Sequence, residues 1–203
     1  MSIISRSDTD FFLTGGTALS RAYYNHRYSD DLDFFVNRCQ TFDEQIDIVL
    51  AMLTESGLSW DTREGYTRAE RFLSFNVRKD DVLLKLDFVN DSVPLFGKIT
   101  QTDLFYRTDS IRNILSNKLS AIFRYAAKDI ADIREIALNE DIEWSEIIKE
   151  ARQKDAGMEL TYVSQILASI PQSEFEKIAW VKKTSWNEFH EDVKRIAYDM
   201  LHG

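Results

Sequence analysis

Two aspartates spaced one residue apart are the first side chains in this sequence that suggest chemistry. Asp31 and Asp33 open the apolar stretch "DLDFFV". If that stretch is a β-strand, both carboxylates point to the same side, roughly 6.6 Å apart along the chain. Neighbouring carboxylates repel each other, and Mg²⁺ relieves the repulsion while also binding substrate phosphates. The pattern predicts a magnesium site, although a solvent-exposed strand start would have the same sequence.

A third aspartate lies in the middle of another apolar stretch, "VLLKLDFV". In a strand, Leu84, Leu86 and Phe88 would face a core, while Lys85 and Asp87 would face the opposite side. An acidic residue in mid-strand is disfavoured by burial and by β-propensity. An edge strand with an exposed Lys–Asp pattern would explain it alone. Beside the first two aspartates, however, Asp87 would complete a site for two metal ions about 3.5–4 Å apart, as used in phosphoryl-type transfer.

A pair of glycines precedes the first two aspartates. The sequence "FFLTGGTAL" predicts a short strand, a turn at Gly15 and Gly16, and a helix from Thr17. Glycines let the backbone approach a ligand closely, and the N–H groups at the start of a helix bind phosphate. Most Gly-Gly pairs are only turns. The order of strand, glycine turn, short helix and strand with paired aspartates favours the phosphate interpretation here.

The second half of the chain contains a stripe of mixed charge. If residues 108–138 form one continuous helix, five charged side chains fall within an arc of about 140°. They are Lys118, Arg124, Lys128, Asp129 and Asp132. Facing a cleft, Lys118 and Arg124 would bind triphosphate oxygens, and the aspartates would anchor the basic groups. A solvated helix face would have the same pattern.

The elements that must position these groups follow from hydrophobic periodicity. Strands are predicted at residues 11–14 and 31–36, with antiparallel strands between residues 60 and 90. Thr41 and Glu44 predict a capping box for a helix that ends at Gly57. The other predicted helices span residues 17–24, 108–138, 144–153, 160–169 and 186–201. We therefore expect an α/β core in residues 1–105 and a helical region in residues 106–203 packed on that core.

The composition excludes several classes of protein. The 203 residues are 44% hydrophobic, as in an ordinary globular protein. No apolar run approaches the ~20 residues that span a bilayer, and the first residues lack the pattern of a secretory signal. Cys39 is the single cysteine and the histidines form no zinc pattern, so we expect a cytoplasmic protein without disulfides. The net charge of −9 means that a nucleic-acid partner would need a local basic patch.

Three segments together resemble the nucleotidyltransferase AbiEii/AbiGii toxin family, within the DNA polymerase β-type nucleotidyltransferase superfamily. They are "GGTALSRAYYNHRYSDDLDFF", "LKLDF" and "NKLSAIFRYAAKDIADI". The first family motif matches at Gly15, Gly16, Thr17, Leu19, Arg27, Ser29, Asp31 and Asp33. The helical motif matches at Lys118, Ala121, Arg124, Lys128, Asp129, Asp132 and Ile133. The resemblance covers about residues 11–136, with Thr17 where the wider superfamily has serine and a slightly longer spacing before Asp31.

The resemblance implies an α+β nucleotidyltransferase fold, a small mixed sheet flanked by helices with a helical C-terminal region. It also implies transfer of a nucleoside monophosphate from an NTP to an acceptor. Asp31 and Asp33 would hold two Mg²⁺ ions with the NTP bound, and Asp87 would bind one ion and help to activate the acceptor oxygen. The implied nucleotide-binding residues are Gly15, Gly16, Thr17, Arg27, Ser29, Lys118, Arg124, Lys128 and Asp132. Toxin members pair with a cognate antitoxin, so a bacterial toxin with an antitoxin partner is expected.

Other functions remain open on the residues alone. An inactive relative could bind NTP or a protein partner without transferring anything; loss of one of the three aspartates would favour that alternative, and none is lost. The same carboxylates could hydrolyse phosphodiester bonds, which the acidic net charge disfavours. The acceptor could be an RNA, a protein hydroxyl or a small molecule, and no membrane partner is expected.

Overall fold

The computed structural model describes all residues, Met1–Gly203, and has the predicted α+β class. The strands are β1 (Phe12–Thr14), β2 (Asp31–Asn37), β3 (Thr67–Ala69), β4 (Phe72–Lys79) and β5 (Val82–Asp91). The helices are α1 (Ser2–Ser5), α2 (Gly15–Thr17), α3 (Phe42–Glu55), α4 (Ile111–Ser120), α5 (Ala127–Asn139), α6 (Trp144–Lys154), α7 (Leu160–Ser169), α8 (Gln172–Phe175) and α9 (Trp186–His202). A π-helix, Ala18–Tyr24, follows α2, and a 3₁₀ turn, Ile122–Arg124, follows α4. None of the helices combines the length and the apolar character that crossing a membrane requires.

The chain forms two compact units. The sheet unit contains Met1–Ala22, Ser29–Val93 and Lys98–Asp109, and the helical unit contains Tyr23–Tyr28, Pro94–Gly97 and Ser110–Gly203. The short segment Tyr23–Tyr28 belongs to the helical unit because its backbone pairs with residues 179–182. The amide of Tyr28 donates to the carbonyl of Ala179, and the amides of Val181 and Lys182 donate to the carbonyl of His26.

The sheet has the strand order β1-β2-β5-β4-β3, and only the β2–β5 pair is parallel. Burial alternates along β2, so Leu32, Phe34 and Val36 lie in the core while the aspartates between them are half-buried. Leu86 and Phe88 of β5 are buried on the same face, and the rings of Phe34 and Phe88 stack with centroids 5.3 Å apart. The alternation predicted for both strands is confirmed, since one face packs the core and leaves the other to polar groups.

Helix α3 forms as predicted, but its capping box does not. Thr41 is the N-cap residue, with φ −97° and ψ 26°, and its side chain accepts no capping bond from the backbone. A side-chain cap requires an extended N-cap backbone, which Thr41 does not have. Its hydroxyl instead accepts a hydrogen bond from the side-chain amide of Gln45 at 3.2 Å. The predicted role of Glu44 in a capping box is therefore wrong.

The predicted long helix of residues 108–138 is also wrong, because the chain breaks it into α4, the 3₁₀ turn and α5. Tyr125 ends the 3₁₀ turn with φ +54°, in the left-handed region. That conformation costs an L-residue roughly 1–2 kcal/mol, and no glycine or proline marks the position in the sequence. Since the break interrupts the rotation of 100° per residue, the predicted arc of charged side chains does not exist as one helix face.

Candidate active site

The three predicted carboxylates lie on one face of the sheet unit. In the parallel β2–β5 ladder, Asp33 is directly opposite Asp87, and Asp31 is directly opposite Lys85. Neighbouring strands are about 4.8 Å apart, and paired positions point to the same side. We call these four side chains the carboxylate face. All four are half-buried, so the register brings together the aspartates that the sequence pattern selected.

Lys85 adds a positive charge to the carboxylate face. Its ammonium donates a hydrogen bond to Oδ2 of Asp87 at 2.6 Å. Partial burial lowers the pKa of Lys85, but the bond and charge of Asp87, with the charges of Asp31 and Asp33, raise it above its ordinary value. Lys85 is therefore protonated at neutral pH. Sequence reasoning treated this lysine only as part of a surface pattern, although the i, i+2 spacing places it beside Asp87 on the same face.

The glycine turn closes one end of the carboxylate face. Gly15 has φ +69°, and a Cβ built on it would lie 2.5 Å from Oδ2 of Asp33. Only glycine allows the backbone to approach that carboxylate so closely. The hydroxyl of Thr17 donates to the backbone carbonyl of Asp31, and Gly16 is buried. The turn therefore contacts both aspartates at the start of β2. Ser29, which precedes them in the chain, is half-buried.

The carboxylate face offers oxygen ligands of the type that Mg²⁺ takes, but its side chains do not form a complete ion site. Carboxylate oxygens are the ligands that Mg²⁺ prefers in proteins. Oδ1 of Asp87 is buried and has no hydrogen-bond partner, although buried polar atoms are nearly always satisfied. As the side chains stand, no group of three or more carboxylate, imidazole or thiolate ligands is arranged to hold an ion. Lys85 occupies the other oxygen of Asp87.

A second set of predicted residues forms a buried ionic network in the helical unit, centred on Asp132. Its carboxylate is fully buried and accepts bonds from Nε and Nη2 of Arg27, both at 2.7 Å, and from His26 Nε2 at 2.8 Å. The ammonium of Lys118 lies 2.8 Å from its Oδ2. Burial would raise the pKa of Asp132, but the charge of Lys118 and the bonds from His26 and Arg27 lower it well below its ordinary range.

The predicted phosphate-binding cations differ in solvent exposure and in ion pairing. Arg27 and Lys118 are buried and held in ion pairs. Lys118 also bonds to Asp129 at 2.5 Å. The side chain of Arg124 is 68% exposed and only 3.5 Å from Asp129, and Lys128 is exposed without an ion pair. Arg124 and Lys128 are thus available to a ligand from solvent, whereas Arg27 and Lys118 are not.

The sequence did not reveal His26 as part of this network. Its imidazole is buried, and Nδ1 has no hydrogen-bond partner. In the sequence, His26 follows Tyr23, Tyr24 and Asn25, a stretch that resembles an exposed turn. In the structure, Asn25 has the left-handed φ of +51°. The only available signal was its place next to Arg27, which the family motif includes.

Comparison with known proteins gives the chain a family. The sequence model of the family described as nucleotidyl transferase AbiEii toxin, type IV toxin–antitoxin system, matches residues 3–197. No protein of curated function matches the chain in sequence.

Two solved structures share the fold. JHP933 from Helicobacter pylori superposes with a TM-score of 0.65 at 17% identity, covering 98% of this chain and 86% of that chain. MenT4, the nucleotidyltransferase toxin Rv2826c from Mycobacterium tuberculosis H37Rv, superposes with a TM-score of 0.57 at 15% identity, covering 95% and 75%. At these identities the likeness shows the fold alone. Because the family match spans residues 3–197, this chain belongs to the AbiEii family of nucleotidyltransferase toxins, as its motifs predicted.

Proposed function

We propose that this protein transfers a nucleoside monophosphate from an NTP to an acceptor hydroxyl, as the toxin of a toxin–antitoxin pair. The observation that supports this most is the register of the β2–β5 ladder, which sets Asp33 opposite Asp87 on the half-buried face of the sheet. Family membership supplies the reaction type. The antitoxin partner is proposed from the family alone.

In the proposed reaction, a new bond forms between the acceptor oxygen and the α-phosphorus of the NTP. The bond from that phosphorus to pyrophosphate breaks, and the acceptor hydroxyl gives up its proton. Bound Mg²⁺ would offset the negative charge of the phosphates. Asp31 and Asp33 would hold the metal, and the unsatisfied Oδ1 of Asp87 would accept the hydrogen of the acceptor hydroxyl.

The backbone at Gly15, Gly16 and Thr17 is proposed to approach the triphosphate, because the turn has no side chain to obstruct it at Gly15. Arg124 and Lys128 are proposed to bind phosphate oxygens through their exposed cationic groups. Arg27, Lys118 and Asp132, which the family motif also implies, are buried in ion pairs and are proposed to act on the nucleotide indirectly. Ser29, half-buried just before β2, is proposed to contact the nucleotide.

The test is incorporation of label from NTPs into cell extract in the presence of Mg²⁺. The protein should transfer label from α-³²P NTP onto a macromolecule, and Asp33→Asn should abolish the transfer. Asp103→Asn, an exposed aspartate in the sheet unit, is the matched control and should keep full activity. Digestion of the labelled product with ribonuclease or with protease identifies the acceptor class. Label from γ-³²P NTP would show a kinase, and NTP binding without transfer to any fraction would favour the inactive alternative.

A further inference from the structure

We infer that the base of the NTP binds in a pocket of the helical unit beside Tyr125, and that two carboxylates of this pocket select bases that carry an amino group. The inference rests on the proposed function and deepens it, because it names the part of the chain that chooses the nucleotide. None of the residues that line the pocket belongs to the family motifs matched above.

The pocket is lined by residues of the 3₁₀ turn, of helix α7 and of the loop before α7. Its volume of about 390 Å³ lies within the range of about 300–1,000 Å³ that is ordinary for small-molecule sites. We call it the base pocket. Three aromatic rings, two carboxylates and one aliphatic side chain line it: Phe123, Tyr125, Tyr162, Asp155, Glu159 and Ile166.

The first support is the exposure of the aromatic rings. Tyr125 is 68% exposed and Tyr162 61% exposed, and Phe123 is exposed beside them. Exposed aromatic rings bind nucleobases by stacking, because every base has a π-face. Tyr125 also keeps the left-handed φ of +54° although its side chain gains little from burial. Strained residues that a fold retains cluster at ligand-binding sites, so the conformation of Tyr125 agrees with such a role.

The second support is the distribution of charge around the base pocket. Arg124, whose exposed guanidinium is proposed above to bind phosphate, directly precedes Tyr125 in the chain. A nucleotide that contacts both residues has its phosphates on the cation and its base on the ring. The carboxylates of Asp155 and Glu159 would repel phosphate from the pocket itself, whereas a nucleobase is neutral. The same repulsion disfavours a polyanionic RNA strand as the occupant.

The two carboxylates also supply selectivity among bases. Asp155 and Glu159 are exposed, no lysine or arginine pairs with them, and Oδ1 of Asp155 accepts a bond from the backbone amide of Gly157 at 2.9 Å. An ionised carboxylate only accepts hydrogen bonds. Adenine, cytosine and guanine each carry an amino group that donates, whereas the exocyclic oxygens of uracil only accept. One charge-assisted hydrogen bond corresponds to a preference of about 10- to 150-fold for an amino-bearing base over uracil.

The test compares ligands with and without a base. Calorimetry measures the binding of the α,β-methylene analogues of ATP, GTP, CTP and UTP, of inorganic triphosphate and of a single-stranded RNA oligonucleotide, all with Mg²⁺. The wild-type protein should bind at least one amino-bearing analogue about 10-fold or more tightly than the UTP analogue. Tyr125→Ala should weaken that analogue about 5- to 150-fold and leave triphosphate unchanged, whereas Arg124→Ala should weaken both. Asp155→Asn combined with Glu159→Gln should abolish the preference over UTP, because the new amides can also donate to uracil.

The control variants separate the ring from the fold. Tyr125→Phe keeps the ring and should bind like the wild type. Tyr162→Ala repeats the measurement from helix α7 without altering the strained turn, and it should also weaken the NTP analogue alone. Tyr198→Ala is the matched control, because Tyr198 is an equally exposed tyrosine of the helical unit outside the pocket, and its affinities should not change. Circular dichroism establishes that each variant is folded, and transfer of α-³²P label is measured on the same samples.

Each outcome decides one part of the inference. Wild-type affinity for NTP analogues in folded Tyr125→Ala and Tyr162→Ala would overturn the base pocket and leave the proposed transferase standing. A loss of affinity in these variants for the RNA oligonucleotide alone would assign the pocket to the acceptor and overturn its assignment to the NTP. Equal binding of all four analogues by the wild type would overturn the selectivity of the carboxylates. Tyr125-dependent NTP binding without label transfer would overturn the transferase and keep the pocket, and no NTP binding at all would overturn both.

Discussion

Replacing Asp132 with asparagine tests whether the buried network holds the fold or binds the nucleotide. The carboxylate has no exposed surface and is contacted by three cationic or imidazole side chains, at 2.7–2.8 Å. Asparagine has a similar shape but no charge. The substitution would leave Arg27 and Lys118 buried without their counter-ion, apart from the bond of Lys118 to Asp129.

The expected loss is large for a single substitution. Removing one partner of a buried ion pair typically costs about 3–5 kcal/mol, because the remaining charge stays in a poorly solvated place. In a protein of this size each kcal/mol lowers the melting temperature by about 2–4 °C, so we expect a fall of about 6–20 °C. Whole domains are stable by only about 5–15 kcal/mol, so the variant should remain foldable but clearly weakened.

The assay is urea unfolding followed by circular dichroism, with Asp199→Asn as the control. Asp199 is an exposed aspartate of the helical unit, and its substitution should change the free energy of unfolding by no more than about 0.5 kcal/mol. Nucleotide affinity is measured on the same samples. A stable Asp132→Asn protein, less than about 1 kcal/mol below wild type, that had lost NTP binding would refute the structural role and make Asp132 a nucleotide ligand.

The same pair of proteins should respond to pH in a defined direction. Because the folded-state pKa of Asp132 is lowered, its carboxylate stabilises the fold above the ordinary value of about 4, and this contribution is lost as pH falls through the folded-state pKa. The pKa of Lys118 is raised, since Asp132 and Asp129 outweigh the lowering by burial, so its contribution is lost only as pH rises through that raised value. The difference between wild type and Asp132→Asn should therefore be constant from about pH 5 to pH 9 and shrink in acid.

Two further substitutions test the glycine turn and the exposed cation. Gly15→Ala should lose about 1–2 kcal/mol of stability from its positive φ and should also lose transfer, because the new Cβ displaces the carboxylate of Asp33. Gly57 has a similar φ of +75°, but no atom lies within 4 Å of a Cβ built on it, so Gly57→Ala should lose stability and keep activity. Equal activity in the two variants would contradict the role of Gly15. Arg124→Ala should weaken NTP binding about 10- to 100-fold, the effect of one charge-assisted hydrogen bond, measured by calorimetry. An equal loss in Arg152→Ala, an exposed arginine of the same unit without an ion pair, would show that only net charge matters.

The strands and the carboxylate face could be predicted because apolar and polar residues alternate along a half-buried strand, and this alternation is visible in the sequence. Each strand alternates apolar and polar positions, so the aspartates had to face away from the core wherever the strands lay in the sheet. That β2 and β5 are neighbours, with Asp33 opposite Asp87, is a long-range pairing that no local pattern contains. The resemblance to the family supplied that step.

The broken helix could not be predicted because no residue near the break signals it. The residues around Tyr125 have ordinary helix propensity and include no glycine or proline. Tyr125 nevertheless has φ +54°, its amide donates to the carbonyl of Ile122, and Ile122 is buried in the preceding turn. The network at Asp132 was hidden for a similar reason, since Arg27 and Asp132 are separated by 105 positions.

Two Lys–Asp pairs in this chain differ in burial, and burial separates their functions. Lys118 and Asp132 have side chains 9% and 0% exposed, whereas Lys85 and Asp87 are 42% and 15% exposed. Neither partner of the buried pair can leave without stranding a charge away from water, so we expect that pair to stabilise the fold and not to exchange with a ligand. The partly exposed pair can exchange a partner with solvent, an ion or a substrate, since water screens the intermediate state. Both pairs are the same two residue types in an acidic chain, and only the fold determines which one is free to take part in chemistry.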